Sequence, residues 1–305
     1  MNTAQNELNF TEVKTAEDLN EAYNLLNACF VADKHPPIGE HAWLDLVHGG
    51  RKSYYAFLVK SQSHRHPIGY LHISKGNNNN WAIDYVIHPH HRDPNGTIAS
   101  SIIKKAIQII KDCSGGHVHL WVSKPNDTTD IAAYNNGFSK GRDLYQMTVD
   151  LPVVANIKDI NTRAFVVNKD EQDWLDLNNK AFLNHPEQGN WDLKTLQARF
   201  DQPWFDPEDI LIYEENGKML AFCWVKIHHE KEPPAGEIYI VAVDPESQGK
   251  QLGKRIVYKA LQHMHKKNLT KAFLYVDSRN AAALKIYKDL GFVIDHIDRA
   301  YTIDL

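Results

Sequence analysis

A chain of 305 residues is about twice an ordinary domain, so two domains are expected, and its 43% hydrophobic and 24% charged content is that of a soluble globular protein. The net charge of −4 excludes a general attraction to nucleic acid or to an anionic membrane. Three scattered cysteines, Cys29, Cys113 and Cys223, with no basic-then-apolar leader and no apolar run near the roughly 20 residues of a membrane span, exclude a disulfide scaffold and a spanning segment, so a cytoplasmic protein is expected, a monomer by default.

In chain order the first half reads as strand, helix, short helix, three-strand meander, helix, strand, helix and strand. Residues 53–60, 67–74 and 81–87 are rich in β-branched and aromatic side chains and form the meander, with a turn at 77–80. Residues 98–111 place Ile102, Ile103, Ala106, Ile109 and Ile110 at helical spacing. Residues 117–122 are a short strand, and 127–136 a short helix ending before Gly137 and opening on the capping run Asp127-Thr128-Thr129-Asp130. The second half repeats the order. Its meander is 209–213, 219–227 and 237–243; a long helix at 252–264, a strand at 272–276 and a helix at 281–290 follow, before Gly291.

Short matches at nearly constant separation mark the halves as duplicated copies. Ile87-His88-Pro89 answers Val243-Asp244-Pro245, Trp121-Val122 answers Tyr275-Val276, and Gly137-Phe138 answers Gly291-Phe292. The first separation exceeds the other two by two residues, so the first copy carries two extra residues just after Pro89. The domains are therefore expected at 1–150 and 151–305, joined near 151–161.

In the second copy the strand 237–243 runs through Asp244 to Ser247 into Gln248-Gly249-Lys250-Gln251-Leu252-Gly253-Lys254 and then a helix. A strand feeding a glycine-containing turn that opens a helix aims several backbone N–H groups at one point, where the helix dipole adds positive charge; such a cradle suits a pyrophosphate. The run resembles the Gln/Arg-x-x-Gly-x-Gly/Ala loop of the GNAT acetyltransferases. Gln251, in place of the usual middle glycine, is its one departure and sets a side chain beside the diphosphate. The GNAT likeness continues in Asn280-Ala281-Ala282-Ala283-Leu284-Lys285, then Tyr287 before Gly291-Phe292. It implies an α/β (α+β) fold of two tandem GNAT domains, each a mixed, mostly antiparallel sheet flanked by helices, with acetyl-CoA as cosubstrate and no metal.

Acyl transfer to an amine needs a base for the amine, a donor to the thioester carbonyl and an acid for the leaving thiolate. Glu237 opens the strand leading to the loop and is the candidate base. Tyr287 is the candidate acid, and the backbone N–H groups of Val241, Ala242 and Val243 are candidate carbonyl donors if that strand bulges. At the matching positions the first copy has Trp81 and Ala133, which can do neither task, and its loop, 92–99, contains Pro94 and is two residues longer. The first copy thus reads as a degenerate, supporting domain; Tyr85, Val86 and Ile87, the counterparts of Val241 to Val243, are its candidate CoA contacts.

The likeness narrows further. Asn178-Asn179, Ala181-Phe182, His185-Pro186-Glu187-Gln188-Gly189 with Trp191, Trp204-Phe205-Asp206-Pro207, Phe222 to Lys226 with His228, and Gly236-Glu237-Ile238-Tyr239 resemble the second domain of the mycothiol synthase family. Pro37-Ile38-Gly39-Glu40 and Gly69-Tyr70-Leu71 resemble its first. This resemblance implies an actinobacterial host and acetylation of the cysteinyl amine of cysteinyl-glucosaminyl-inositol. It also implies Glu40, Glu187, Lys226, Glu237 and Tyr275 as acceptor contacts, with Glu40 supplied by the first copy. An α-amino group titrates near 8, so a carboxylate base suffices at neutral pH. Two other readings stay open at this level: a GNAT acetylating another small amine, and an inactive acyl-CoA-binding sensor, which Gln251 favours. The seventeen histidines include pairs such as His117/His119, but none has zinc-ligand spacing.

Overall fold

The computed structural model describes residues 8–48, 54–76, 79–183, 188–247 and 249–305. In chain order its elements are β1 (Leu8–Glu12), α1 (Ala16–Asp33), α2 (Glu40–His48), β2 (Tyr54–Ser61), β3 (Gly69–Lys75), β4 (Asn80–Ile87), α3 (Thr97–Asp112), β5 (His117–Ser123), α4 (Asp127–Tyr134) and β6 (Ser139–Asp150). There follow β7 (Arg163–Ala164), α5 (Glu171–Ala181), α6 (Leu193–Phe200), β8 (Ile210–Glu215), β9 (Lys218–His228), β10 (Ala235–Val243), α7 (Leu252–Lys266), β11 (Lys271–Asp277), α8 (Ala281–Asp289) and β12 (Val293–Asp304). Every expected helix and meander strand is present. Part of the turn expected at 77–80 lies outside the described residues, and Asn80 already belongs to β4.

Two compact units share the chain: Met1–Asp143 with Asp298–Leu305, and Leu144–Ile297. In the first, β1 to β4 are antiparallel in sequence order, β4 and β5 run parallel, and residues 298–304 of β12 close the sheet antiparallel to β5. In the second, β7 to β10 are antiparallel, β10 and β11 parallel, and residues 144–150 of β6 close the sheet antiparallel to β11. The spatial units thus depart from the linear halves by one strand segment each. Each unit is finished by a strand that the chain delivers from the other copy.

Local chemistry explains the elements. A reciprocal Thr15–Asp18 capping box starts α1, which buries Ala22, Leu25, Leu26 and Cys29. The isoleucine stripe of α3 puts Ile102, Ile103, Ala106 and Ile110 into one core with Leu71, Ile83 and Leu120. In the second unit α7 buries Ile256, Val257, Ala260, Leu261 and Met264 on β9, β10 and β11. Gly236 makes that packing possible, since a Cβ there would stand 2.6 Å from the Met264 sulfur. On the other face of the same sheet, α5 and α6 cover an aromatic core of Trp174, Trp191, Phe222 and Trp224. Among the described residues, no helix is long and apolar enough to cross a membrane.

Candidate functional site

β10 is interrupted where the expected donors begin. Its ladder with β9 sets Glu237 opposite Lys226 and Ile238 opposite Val225, then shifts register between Ile238 and Ile240, leaving Tyr239 as the extra residue. On its other edge β10 pairs with β11 only from Gly236 to Ile238. Beyond that point Val241, Ala242 and Val243 keep their ladder with β9 but have no partner on β11, so one edge of backbone faces an opening. A bulge that frees strand-edge N–H groups beside a gap is the arrangement an acyl carbonyl requires.

Glu237 lies in the last stretch paired with β11 before the two strands part, its side chain 12% exposed, and Nε2 of His228 lies 2.7 Å from its Oε2. His228 is buried on β9, with Nδ1 2.7 Å from Oε1 of Glu230. Burial works against the imidazolium, but the two carboxylates outweigh burial and the nearby Lys226, and raise its pKa above the ordinary value. Glu230, held by that imidazole against burial, falls to about 2. Lys226, two residues before His228 and so on the same face, lies 4.4 Å from the Trp204 ring centroid and 5.3 Å from that of Tyr239. From β11, Phe273 packs 5.1 Å from the His228 ring, and the Tyr275 hydroxyl accepts a 2.7 Å hydrogen bond from Gln146. The fold therefore gathers Lys226, Glu237 and Tyr275 on the face covered by α5 and α6. Glu187 lies outside the described residues, and Glu40 opens α2 in the first unit.

Tyr287 comes from the opposite face. It is buried in the core under α7 beside Cys223, whose β10 partner is Val241, so its ring lies level with the unpaired stretch. Burial first, and Cys223 second, push its phenol above the ordinary value; the group keeps its proton at neutral pH, as an acid for a thiolate must.

Past Val243 the chain turns on Asp244, whose buried carboxylate accepts from Lys180 at 2.9 Å and pairs with Lys218 at 3.0 Å. The Lys180 ammonium, against the cost of burial, brings Asp244 down to about 2. Gln248 lies outside the described residues. Gly249 has φ +83°, and nothing stands within 4 Å of where its Cβ would be. Gln251 is left-handed at φ 58° and ψ 16° and is the N-cap of α7, with no side-chain cap on that helix among the described residues. The departure from glycine thus keeps the backbone of the motif, at a conformational cost of about 1–2 kcal/mol. Leu252, Gly253 and Lys254 form the first turn, with Lys254 2.9 Å from Asp289. Gly253 admits α8 closely, since Ile286 would be 3.3 Å from an added Cβ. Asn280 caps α8 by accepting from the Ala283 N–H at 3.1 Å; Ala281, Ala282 and Lys285 are exposed, Ala283 and Leu284 half-buried.

The first unit holds the corresponding pieces differently. Its β3–β4 ladder runs from Gly69↔Ile87 to Lys75↔Trp81 without a shift, and β4 pairs with β5 as far as Asp84↔Trp121. Val86 is buried, and Tyr85 and Ile87 pack against the core. The Asp93 carboxylate accepts the N–H groups of Thr97 at 2.9 Å and Ile98 at 3.2 Å, which open α3. Arg92 is spent on a two-pronged pair with Asp33 at 2.7 and 2.6 Å. The helix expected to start with a cap at Asp127 to Asp130 is capped one residue earlier, by Asn126 with Thr129.

In the sequence His228 is marked only by the resemblance, and Glu230 and Gln146 carry no mark. The alternation of Lys226 and His228 along β9 was the available signal for the first; the others depend on a turn and on a distant strand.

Comparison with known proteins agrees with this geometry. The acetyltransferase (GNAT) family profile matches twice, at residues 19–138 and 172–292. The mycothiol acetyltransferase of Acidimicrobium ferrooxidans is 32% identical over 88% of this chain and 88% of its own, and that of Thermobispora bispora 31% over 94% and 97%. Among solved structures, a GCN5-related N-acetyltransferase from Sphaerobacter thermophilus superposes with a TM-score of 0.72 at 18% identity over 97% of this chain and 95% of that one. A tandem GNAT protein from the clavulanic acid biosynthesis pathway gives 0.71 at 13% identity over 98% of each; both speak to the fold. With two GNAT copies, a bulged β10 and a match along most of its length, the chain is an N-acetyltransferase and belongs to the mycothiol acetyltransferase family.

Proposed function

We propose that the chain acetylates the cysteinyl amine of cysteinyl-glucosaminyl-inositol with acetyl-CoA, using the C-terminal copy. The observation that carries this reading is the carboxylate of Glu237 in the last stretch of β10 still paired with β11, on the strand that leads to the α7 loop. The names of the relatives supply the acceptor. In this reading Gln248 to Lys254 and Asn280 to Lys285 hold the CoA portion, and the N–H groups of Val241 to Val243 receive the thioester carbonyl. Glu187, Lys226 and Tyr275 contact the polyhydroxylated acceptor.

The acceptor arrives as an ammonium with a pKa near 8. Glu237 removes a proton, the free amine attacks, and Tyr287 protonates the expelled thiolate as the C–S bond breaks. Of the two protons the nitrogen loses, one ends on the thiol and the other in solvent. We further infer one acetyl-CoA per chain. In the first unit Tyr85 to Ile87 also lie beyond the β5 pairing, but the β3–β4 ladder carries no bulge and Asp93 already uses the N–H groups that a diphosphate would need.

The test is acetyl-CoA consumption with cysteinyl-glucosaminyl-inositol beside a panel of other amines, with calorimetric titration of CoA. Selective turnover and a stoichiometry of one are expected. Turnover confined to other amines rejects the acceptor; bound CoA with no turnover on any amine makes the chain a sensor; a stoichiometry of two reopens the first copy.

A further inference from the structure

The mechanism above uses Glu237 but leaves His228 and Glu230 without a task, although they form with it a continuous carboxylate–imidazole–carboxylate line. Both ring nitrogens are 2.7 Å from a carboxylate oxygen, Nε2 from Glu237 and Nδ1 from Glu230. The imidazole is buried and packed against Phe273, so it has little freedom to turn, whereas the Glu230 side chain is 54% exposed.

A carboxylate that serves as a base has two oxygens, and only a correctly aimed one takes the proton of a bound amine. We propose that His228 is the positioning residue of the acetyl-transfer site. It donates its Nε2–H to Oε2 of Glu237, so that Oε1 is the oxygen presented to the amine, while Glu230 accepts Nδ1–H and fixes the ring in the doubly protonated form. The inference rests on the reading of Glu237 as the base.

The surroundings fit this assignment from each strand that packs there. On β9, Lys226 is the cation that opposes the imidazolium, and it sits instead between the Trp204 and Tyr239 rings. Beyond the strand, Lys231 lies 4.6 Å from the Phe273 ring centroid. From β11 come Phe273 and Tyr275, the latter bonded to Gln146 of β6. Glu230 and Glu237 are thus the anions hydrogen-bonded to the ring, and they raise its pKa. The cationic ring gives both hydrogen bonds below that raised pKa; above it the ring has one N–H left and must release one carboxylate. Activity should therefore fall on the alkaline side as His228 loses its proton.

The experiment compares wild type, His228→Gln, Glu230→Gln and Glu237→Gln by kcat, KM and pH profile, and follows the His228 ring by nitrogen NMR in wild type, Glu230→Gln and Glu237→Gln. His228→Gln is expected to lose about ten- to a hundredfold in kcat, the scale of a misaimed group, with KM for acetyl-CoA changed less than twofold and the alkaline limb gone. Glu230→Gln is expected to keep most of kcat and to move the alkaline limb to lower pH, because one of the two raising partners is removed. The ring signal should titrate lower in both carboxylate variants. A His228→Gln enzyme with wild-type kcat, or a Glu230→Gln profile identical to wild type, overturns the positioning role. A Glu237→Gln enzyme with wild-type turnover sinks the base itself, and the ring titration then still reports whether the hydrogen-bonded line exists. An unchanged ring titration in both carboxylate variants removes that line as well.

Discussion

The two copies of the fold differ most at one strand. β4 keeps a regular ladder on both edges through Asp84, whereas β10 bulges after Ile238 and parts from β11. At the base position the regular copy buries Trp81, 2% exposed; the interrupted copy presents Glu237. The helix that follows shows the same division. α3 starts at left-handed Gly96, and its first N–H groups are taken by Asp93, which they hold below the usual carboxylate range although burial opposes it. α7 starts at left-handed Gln251 with no side-chain cap on it among the described residues. A strand without a bulge and a helix whose first N–H groups are taken by a carboxylate favour stability. A bulge and an uncapped helix start cost stability and leave donors for a ligand. One sequence pattern, duplicated, keeps a regular strand and a capped helix start in one copy and a bulged strand in the other.

The sharpest way to break this comparison is Glu237→Gln. Removing a general base costs typically 10²- to 10⁴-fold, so kcat in the acetyl-CoA assay should fall by at least two orders of magnitude while CoA binding is kept. Buried Trp81 offers no substitute, and a variant that turns over normally would mean that the asymmetry lies elsewhere.

The strands that each unit receives from the other copy give the next largest effect. Tyr301 of β12 and Met147 of β6 are each fully buried, one in the first unit's core and one in the second's. Tyr301 also donates its hydroxyl to Asp130, beside the ion pair of Arg299 with Asp143 at 2.8 Å. Tyr301→Ala should destabilise the first unit by roughly 3–5 kcal/mol, and Met147→Ala the second by about 2–5 kcal/mol, read by denaturant titration with hydrogen exchange to locate the loss. Loss of protection in the same residues for both variants would contradict separate cores.

Element order, duplication and the α7 loop were legible because they rest on local rules: side-chain period, turn residues, and glycine beside a helix start. The strand exchange was not. Residues 139–150 and 293–304 are equivalent segments of a repeat, so either would fit either sheet edge, and period alone does not say which sheet receives them. The bulge is a property of pairing, invisible in Ile238-Tyr239-Ile240 until β9 lies alongside. Gln251 looked like a broken motif, yet it adopts the conformation glycine would have taken. Asp93 lies in the loop 92–99, and its carboxylate reaches the start of α3 only through the path that loop takes. His228 could be placed on the face of Lys226 by alternation. Its partner Glu230 lies past the strand end, where the path of the turn decides the contact.

The smallest expected effect is a difference in acid response at equivalent turns. After β4 the Nδ1 of His88 accepts the N–H of His90 at 3.3 Å; after β10 the Oδ1 of Asp244 accepts that of Glu246 at 2.9 Å. Burial, then His90 and Arg92, hold His88 below its ordinary value, so folding favours the neutral ring. That contribution is complete above the unfolded value of about 6.5 and is lost as pH falls through the lower folded value. Asp244, lowered from 3.8 to about 2 chiefly by Lys180, keeps its contribution above the unfolded value and loses it only as pH falls from there toward 2. Amide exchange corrected for intrinsic rates should therefore show the His88 turn loosening as pH falls below about 6.5 while the Asp244 turn holds to about pH 4. Replacing His88 by Asp should carry the first turn's protection down toward the acid range of the second. If the two turns instead loosen together, the exchange is governed by unfolding of the whole chain, and the capping side chains do not set the local stability of either copy.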